Sequence, residues 1–183
     1  MDLAAWSANE AQFALRSVDS RWAHTQAVAQ RASEIAGVVA TEDRATLIAA
    51  AYLHDIGYAT ELAKTGFHPL DGALWLRKQG LDRLAGLVAH HSGARFEATA
   101  RGFAESLAEF SEEQSAVADA LTYCDLTTGP TGERISVARR LKDIEFRYGT
   151  ASLVAQALNA AADTIGAAVA RTEARVAGLS HAG

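Results

Sequence analysis

Two prolines, one cysteine and no surplus of positive charge define what this 183-residue chain is not. The single Cys124 excludes an intrachain disulfide framework and any zinc site built on a Cys-x-x-Cys pair. A small buried side chain is the role expected of it. Lys and Arg number 17 against 22 Asp and Glu, a net charge of −5. That argues against duplex nucleic acid as a partner, because such affinity rests on neutralising phosphates. No run approaches 18 consecutive apolar residues, so no membrane span is expected. The start, MDLAAWSANE, lacks a basic stretch followed by an apolar one. No leader is expected from it, and the location read from this is cytoplasmic.

What the chain has in quantity is alanine, 41 residues of it. With almost no proline to interrupt, this is the composition of a helix former. Hydrophobic residues make up 49%, enough for a sizeable core. Val and Ile recur at helical spacing and never alternate long enough for a strand. The expected fold is all-α, a single domain over 1–183. Its core covers about 20–150, flanked by an N-terminal helix at 1–18 and a C-terminal helix at 151–176.

Helices are expected at 21–39, 42–54, 69–79, 82–91 and 112–125. Pro69 suits a first helical position, and Ser111-Glu-Glu-Gln114 fits a capping box. Ser136 and Thr150 open two more. The stripe Val154, Leu158, Ala161, Ile165, Val169 of the last helix would either cover the core or pair with a second copy as a homodimer.

Several apolar stripes end in polar residues. His54 continues Leu47–Ala51 and is followed by Asp55. His91 continues Leu84–Leu87–Val88, Asp125 continues Val117–Leu121, and His24 shares a face with Val28 and Ile35. Any one of these is ordinarily a hydrogen-bonded core residue. Together they aim imidazoles and two carboxylates inward, and no Lys or Arg is read into these stripes. Buried carboxylates cost several kcal/mol each without positive charge beside them. Divalent metals held by imidazole and carboxylate supply that charge, and helical bundles build two-metal centres this way.

The order His24…His54-Asp55…His68-Pro-x-x-Gly…His90-His91…Asp125, with "AAYLHDIGY", "HPLDGA" and "VAHHSG" around it, resembles the HD superfamily of metal-dependent phosphohydrolases, in particular its two-metal members. The resemblance covers about residues 20–150. It implies that His24, His54, Asp55 and Asp125 hold one metal and that Asp55 bridges to a second, completed by His68, His90 and His91. Iron or manganese suits these ligands best, with zinc, nickel or magnesium as substitutes. In relatives of the HD-GYP class an Arg nine residues after the last Asp contacts substrate phosphate, which falls on Arg134. Arg95 and Arg101 are further basic residues near the expected site that suit a phosphate ester, with Arg95 expected to bind substrate.

Three departures stand out. Tyr58 occupies the place after His-Asp-Ile-Gly that is often Lys in the HD-GYP class and in the oxygenase branch. The Gly-Tyr-Pro segment is replaced by "SGARFEATARG", and Ser20 stands where some relatives carry a third-metal Glu. The departures weigh against cyclic-dinucleotide hydrolysis and a third metal. Tyr58 and the basic residues favour what the resemblance implies, hydrolysis of a small, nucleotide-like phosphate ester by a metal-bridging hydroxide. A mixed-valent di-iron oxygenase and a non-catalytic metal-binding module use the same ligands and stay open at this point.

Overall fold

The computed structural model describes residues 2–18 and 20–180; His181 lies outside them. Ten α-helices are present among the described residues, with short 3-10 turns at 36–38, 41–43, 56–58 and 91–93. There is no strand among them, only one isolated bridge between Thr128 and Arg134. The all-α expectation holds.

Helix α1 (Leu3–Leu15) starts at Asp2, whose carboxylate accepts the Ala5 N–H. Helices α2 (Arg21–Glu34) and α3 (Arg44–Leu53) follow, then α4 (His68–Lys78) and α5 (Asp82–His90). Helix α3 is central and packs on α1, α2, α5 and α8 (Ala116–Leu126). Its alanine-rich sequence permits this: Ala49, Ala50 and Ala51 are all buried, which lets these neighbours approach closely. Between α5 and α8 lie α6 (Ala94–Arg101) and α7 (Ala104–Ala108). No helix was expected in that segment.

Boundaries shift for identifiable reasons. Helix α8 begins at 116, not 112, because the Ser115 hydroxyl accepts the N–H groups of Val117 and Ala118. The segment before it passes over α5, where a Cβ on Gly86 would lie 2.4 Å from the Ser111 carbonyl oxygen. Ser136 caps α9 (Val137–Tyr148) as expected. Ser152, rather than Thr150, caps α10 (Leu153–Ser180) through the Ala155 N–H.

Helix α10 packs on α6, α8 and α9. Its Ala161, Ile165 and Val169 join Leu126 in a second apolar cluster. By length and composition, Leu153–Leu179 could cross a membrane, with a mean hydropathy of 1.3. No apolar run in the sequence signalled this, because alanine and single polar residues raise the average without a continuous stretch. In the structure this helix buries one face in the core. Arg171 and Arg175 on it both donate to Asp119 of α8.

Candidate metal centre

Six of the sequence-predicted residues meet at one place. His24 comes from α2, His54 from the end of α3, and Asp55 from the residue after it. His68 opens α4, His91 follows α5, and Asp125 ends α8. All but His68 are buried, and the His68 side chain is 17% exposed.

The close approach of Asp55 and His68 depends on Gly57. A Cβ there would lie 2.1 Å from the His68 carbonyl oxygen and 2.7 Å from the Gly72 amide. Only hydrogen at this position lets the turn 56–58 rest against the start of α4. The glycine of His-Asp-Ile-Gly thus joins the two halves of the site.

Three rings are oriented by backbone carbonyls. The Nδ1–H of His24 donates to Gly129, that of His54 to Ala51 and that of His91 to Val88, at 3.0, 2.8 and 2.6 Å. A carbonyl only accepts, so a neutral ring must present a bare Nε2 to the interior. This is the outer-shell arrangement that fixes a metal-ligating imidazole. The hairpin after α8 supplies one of these carbonyls, which is the role of "TTGPTGE" in this fold.

Those Nε2 atoms converge on carboxylate oxygens. His24 Nε2 is 3.2 Å from Asp125 Oδ1, and His54 Nε2 is 3.6 Å from Asp55 Oδ2 and 3.9 Å from Asp125 Oδ1. His68 Nε2 is 3.4 Å from Asp55 Oδ1 and 3.4 Å from His91 Nε2. Lone pairs facing lone pairs repel unless a proton or a cation lies between them. His54 Nε2 is buried without a hydrogen-bond partner, which is what a ligand atom awaiting a cation shows. Neighbouring ligands about 2.1 Å from one metal stand roughly 3.0–3.4 Å apart, close to these separations. The residues fit a metal.

Two overlapping groups could hold one, His24–His54–Asp55 and Asp55–His68–His91. Asp55 belongs to both and turns one oxygen toward each.

Two arginines correct the expectation that no basic residue enters these stripes. Arg21, one turn before His24, donates to Asp55 Oδ2 at 3.0 Å. Arg140 of α9 approaches Asp125 to 3.8 Å. Tyr58 lies between Arg21, 3.9 Å from its ring, and His68, stacked at 4.1 Å. It fixes the plane of the most exposed ring of the cluster.

Burial alone would raise the pKa of Asp55, but His54, Arg21 and His68 outweigh it and hold the carboxyl well below its ordinary range. Asp125 is likewise held down, with His24, His54 and Arg140 overcoming its burial. Burial lowers His54 and lowers His68 further, against the pull of Asp55. Both rings are therefore neutral at neutral pH, the form that ligates.

The sign of the resulting pH dependence follows. An unfolded chain protonates these two histidines near pH 6.5 and the folded one resists, so stability is present above that pH and lost below it. Thermal unfolding of the chelated protein should show a falling Tm between about pH 7.5 and pH 5.5. A flat profile there would contradict the burial of neutral rings.

The structure does not bring the other three predicted residues to the site. His90 precedes His91 but its Nε2–H donates to the Phe110 carbonyl, on the opposite side of the chain. The turn 91–93, with Ser92 in the left-handed region at φ 50°, carries the two rings apart. Arg95 pairs with Glu112 and lines a separate cavity of about 70 Å³. Arg134 pairs with Glu34 of α2 and is 69% exposed.

Sequence reasoning missed Ser92, whose hydroxyl donates to Asp125 Oδ2 at 2.5 Å. It also missed the basic side chains that do surround the cluster. A cavity of about 220 Å³ opens onto Asp55, His68, His91 and Asp125, and Arg21, Arg101, Arg140 and Arg147 line it. Of these only Arg101 was named from the sequence.

An HD domain model matches residues 21–128. The chain belongs to the HD domain family. No curated protein and no solved structure matches it. HD domains bind divalent metals, and most members of the superfamily are metal-dependent phosphohydrolases. The matched segment of this HD domain contains all six converging residues. Helices α9 and α10, which complete the cavity, lie beyond it.

Proposed function

We propose that this HD domain protein is a phosphohydrolase with two metals that share Asp55, acting on a small phosphate ester. The observation that carries this reading is the cavity: four arginines line the space onto which the His/Asp cluster opens. Guanidinium groups recognise phosphate through charge-assisted hydrogen bonds; two of the four, Arg21 and Arg101, also pair with Asp55 and Glu97 on the same walls.

His24, His54, Asp55 and Asp125 would hold one metal, and Asp55, His68 and His91 the other. Bound divalent metals lower the pKa of coordinated water and clamp phosphoryl oxygens. The chain's own part is to orient and to exclude. The carbonyls of Gly129, Ala51 and Val88 keep three imidazoles in the ligating tautomer. Ser92 engages one oxygen of Asp125 and turns the other toward His24 and His54. Tyr58, its phenol raised by burial and by Asp55, stays protonated and braces His68. Iron or manganese is the metal we propose, from the mixture of imidazole and carboxylate.

The competing oxygenase reading predicts strict need for iron and dioxygen. The manganese-loaded protein in an anaerobic chamber should release phosphate from members of a phosphomonoester panel without reductant. Turnover only with iron and dioxygen would overturn the hydrolase, and metal without turnover of either kind would favour a non-catalytic module.

A further inference from the structure

Helix α9 lies outside the matched segment, yet one of its faces forms a wall of the cavity. Arg140, Ile144, Arg147 and Tyr148 all line it, at the spacing that places four side chains on one side of a helix. Arg140 sits at the inner end. Its side chain is 8% exposed, and its Nε and Nη1 are buried with no hydrogen-bond partner among the described residues.

A buried guanidinium with two idle donors is costly, since each forgoes the hydrogen bonds it had in water. Asp125 does not satisfy it: 3.8 Å is beyond hydrogen-bond reach. One oxygen of Asp125 is also taken by the Ser92 hydroxyl. The other inner arginine, Arg21, is committed to Asp55, and Arg101 to Glu97. Among the described residues that line the cavity, Arg140 is the one whose guanidinium carries fully buried donors without a hydrogen-bond partner. Farther out the walls turn apolar, with Ile144 and Tyr148 on α9 facing the same space as Val154 and Leu158 on α10.

We propose that Arg140 anchors the phosphoryl group and that the substrates are phosphomonoesters whose single organic arm lies on Ile144, Tyr148, Val154 and Leu158. The identity of the anion rests on the phosphohydrolase reading. A monoester has three non-bridging oxygens, enough to face the His/Asp cluster and the guanidinium together. A diester has two, one fewer to divide between the cluster and the guanidinium.

Calorimetric titration of the whole 183-residue chain, loaded with manganese, with inorganic phosphate, phenyl phosphate and diphenyl phosphate tests this. Phenyl phosphate should bind more tightly than phosphate, and diphenyl phosphate more weakly than phenyl phosphate. Arg140→Met should weaken phosphate and phenyl phosphate by at least about tenfold with metal content unchanged. Arg140→Lys should lose less, because a point charge remains. Ile144→Ala should weaken phenyl phosphate and leave inorganic phosphate unaffected. Wild-type affinity in Arg140→Met overturns the anchor, and diphenyl phosphate binding as well as phenyl phosphate overturns the monoester class. Should the Arg140 variants fail to fold, hydrogen exchange on the wild type decides. Phosphate should slow exchange along 137–148, and no slowing there overturns the anchor. Binding that depends on Arg140 without release of phosphate from any ester would sink the hydrolase reading and leave the anchor standing. Hydrolysis insensitive to Arg140 would do the opposite.

Discussion

Asp55→Ala is expected to leave the protein without either metal and to abolish turnover. Both candidate ligand groups pass through this one carboxylate, so its removal takes a ligand from each. Loss of an outer-shell partner costs metal sites about 10–100-fold, and loss of a shared ligand should exceed that. Asp55 also neutralises Arg21, so the alanine variant strands a largely buried guanidinium and destabilises the fold for a second reason. Asp55→Asn separates the two effects, because it keeps the volume and one acceptor oxygen while removing the charge. Elemental analysis should find both variants metal-depleted, with the Asn form melting higher than the Ala form. Stoichiometric metal retained in either would show that Asp55 is not shared. His68→Ala provides the contrast, since it belongs only to the second group and should lose mainly one metal.

The largest effect on stability is expected from Gly57→Ala. The added Cβ would stand 2.1 Å from a backbone carbonyl oxygen and 2.7 Å from a backbone nitrogen. Neither is a flexible side-chain end that can swing aside, so the turn or the start of α4 must move. Overpacking of this kind costs about 1–3 kcal/mol and sometimes more, and the backbone on both sides places this case at the upper end. For a domain of this size a loss of about 3 kcal/mol lowers Tm by roughly 6–12 °C. The displacement also pulls His68 from Asp55, so one metal should be lost along with the stability. An unchanged Tm with full metal content would mean that the contact between the turn and α4 is not as close as described.

Much of this architecture was legible in the sequence, and the exceptions share a cause. His54, His91 and Asp125 continue apolar stripes, His24 shares the face of one and Asp55 adjoins His54; a polar residue that continues such a stripe is aimed inward by the helix itself. His68 was legible only through the motif around it. His90 and His91 could not be separated that way, because they straddle the end of α5. Beyond it direction is set by the left-handed Ser92, and no periodicity reports that. Arg21 and Arg140 were missed although both lie in register, one three residues before His24 and the other between Val137 and Ile144. A stripe defined by its apolar members passes over a cation within it, and only the position of a distant carboxylate shows that the cation belongs inside. Arg134 failed for the complementary reason. Counting residues from Asp125 takes no account of the hairpin, which presents Gly129 to His24 and turns Arg134 toward α2.

The boundary of the HD match at Thr128 divides the cavity into two inheritances. Every side chain of the His/Asp cluster precedes it, while the wall formed by Arg140, Ile144, Tyr148, Val154 and Leu158 follows it. Under the proposed function, the side chains that would hold the metals and part of the wall that would select the substrate therefore lie in separate stretches of the chain. Under that reading, directed randomisation confined to 144–158, which spares Arg140, would retune which esters are admitted while every side chain proposed to hold a metal stays in place. A chain built this way could change its diet without touching its cluster.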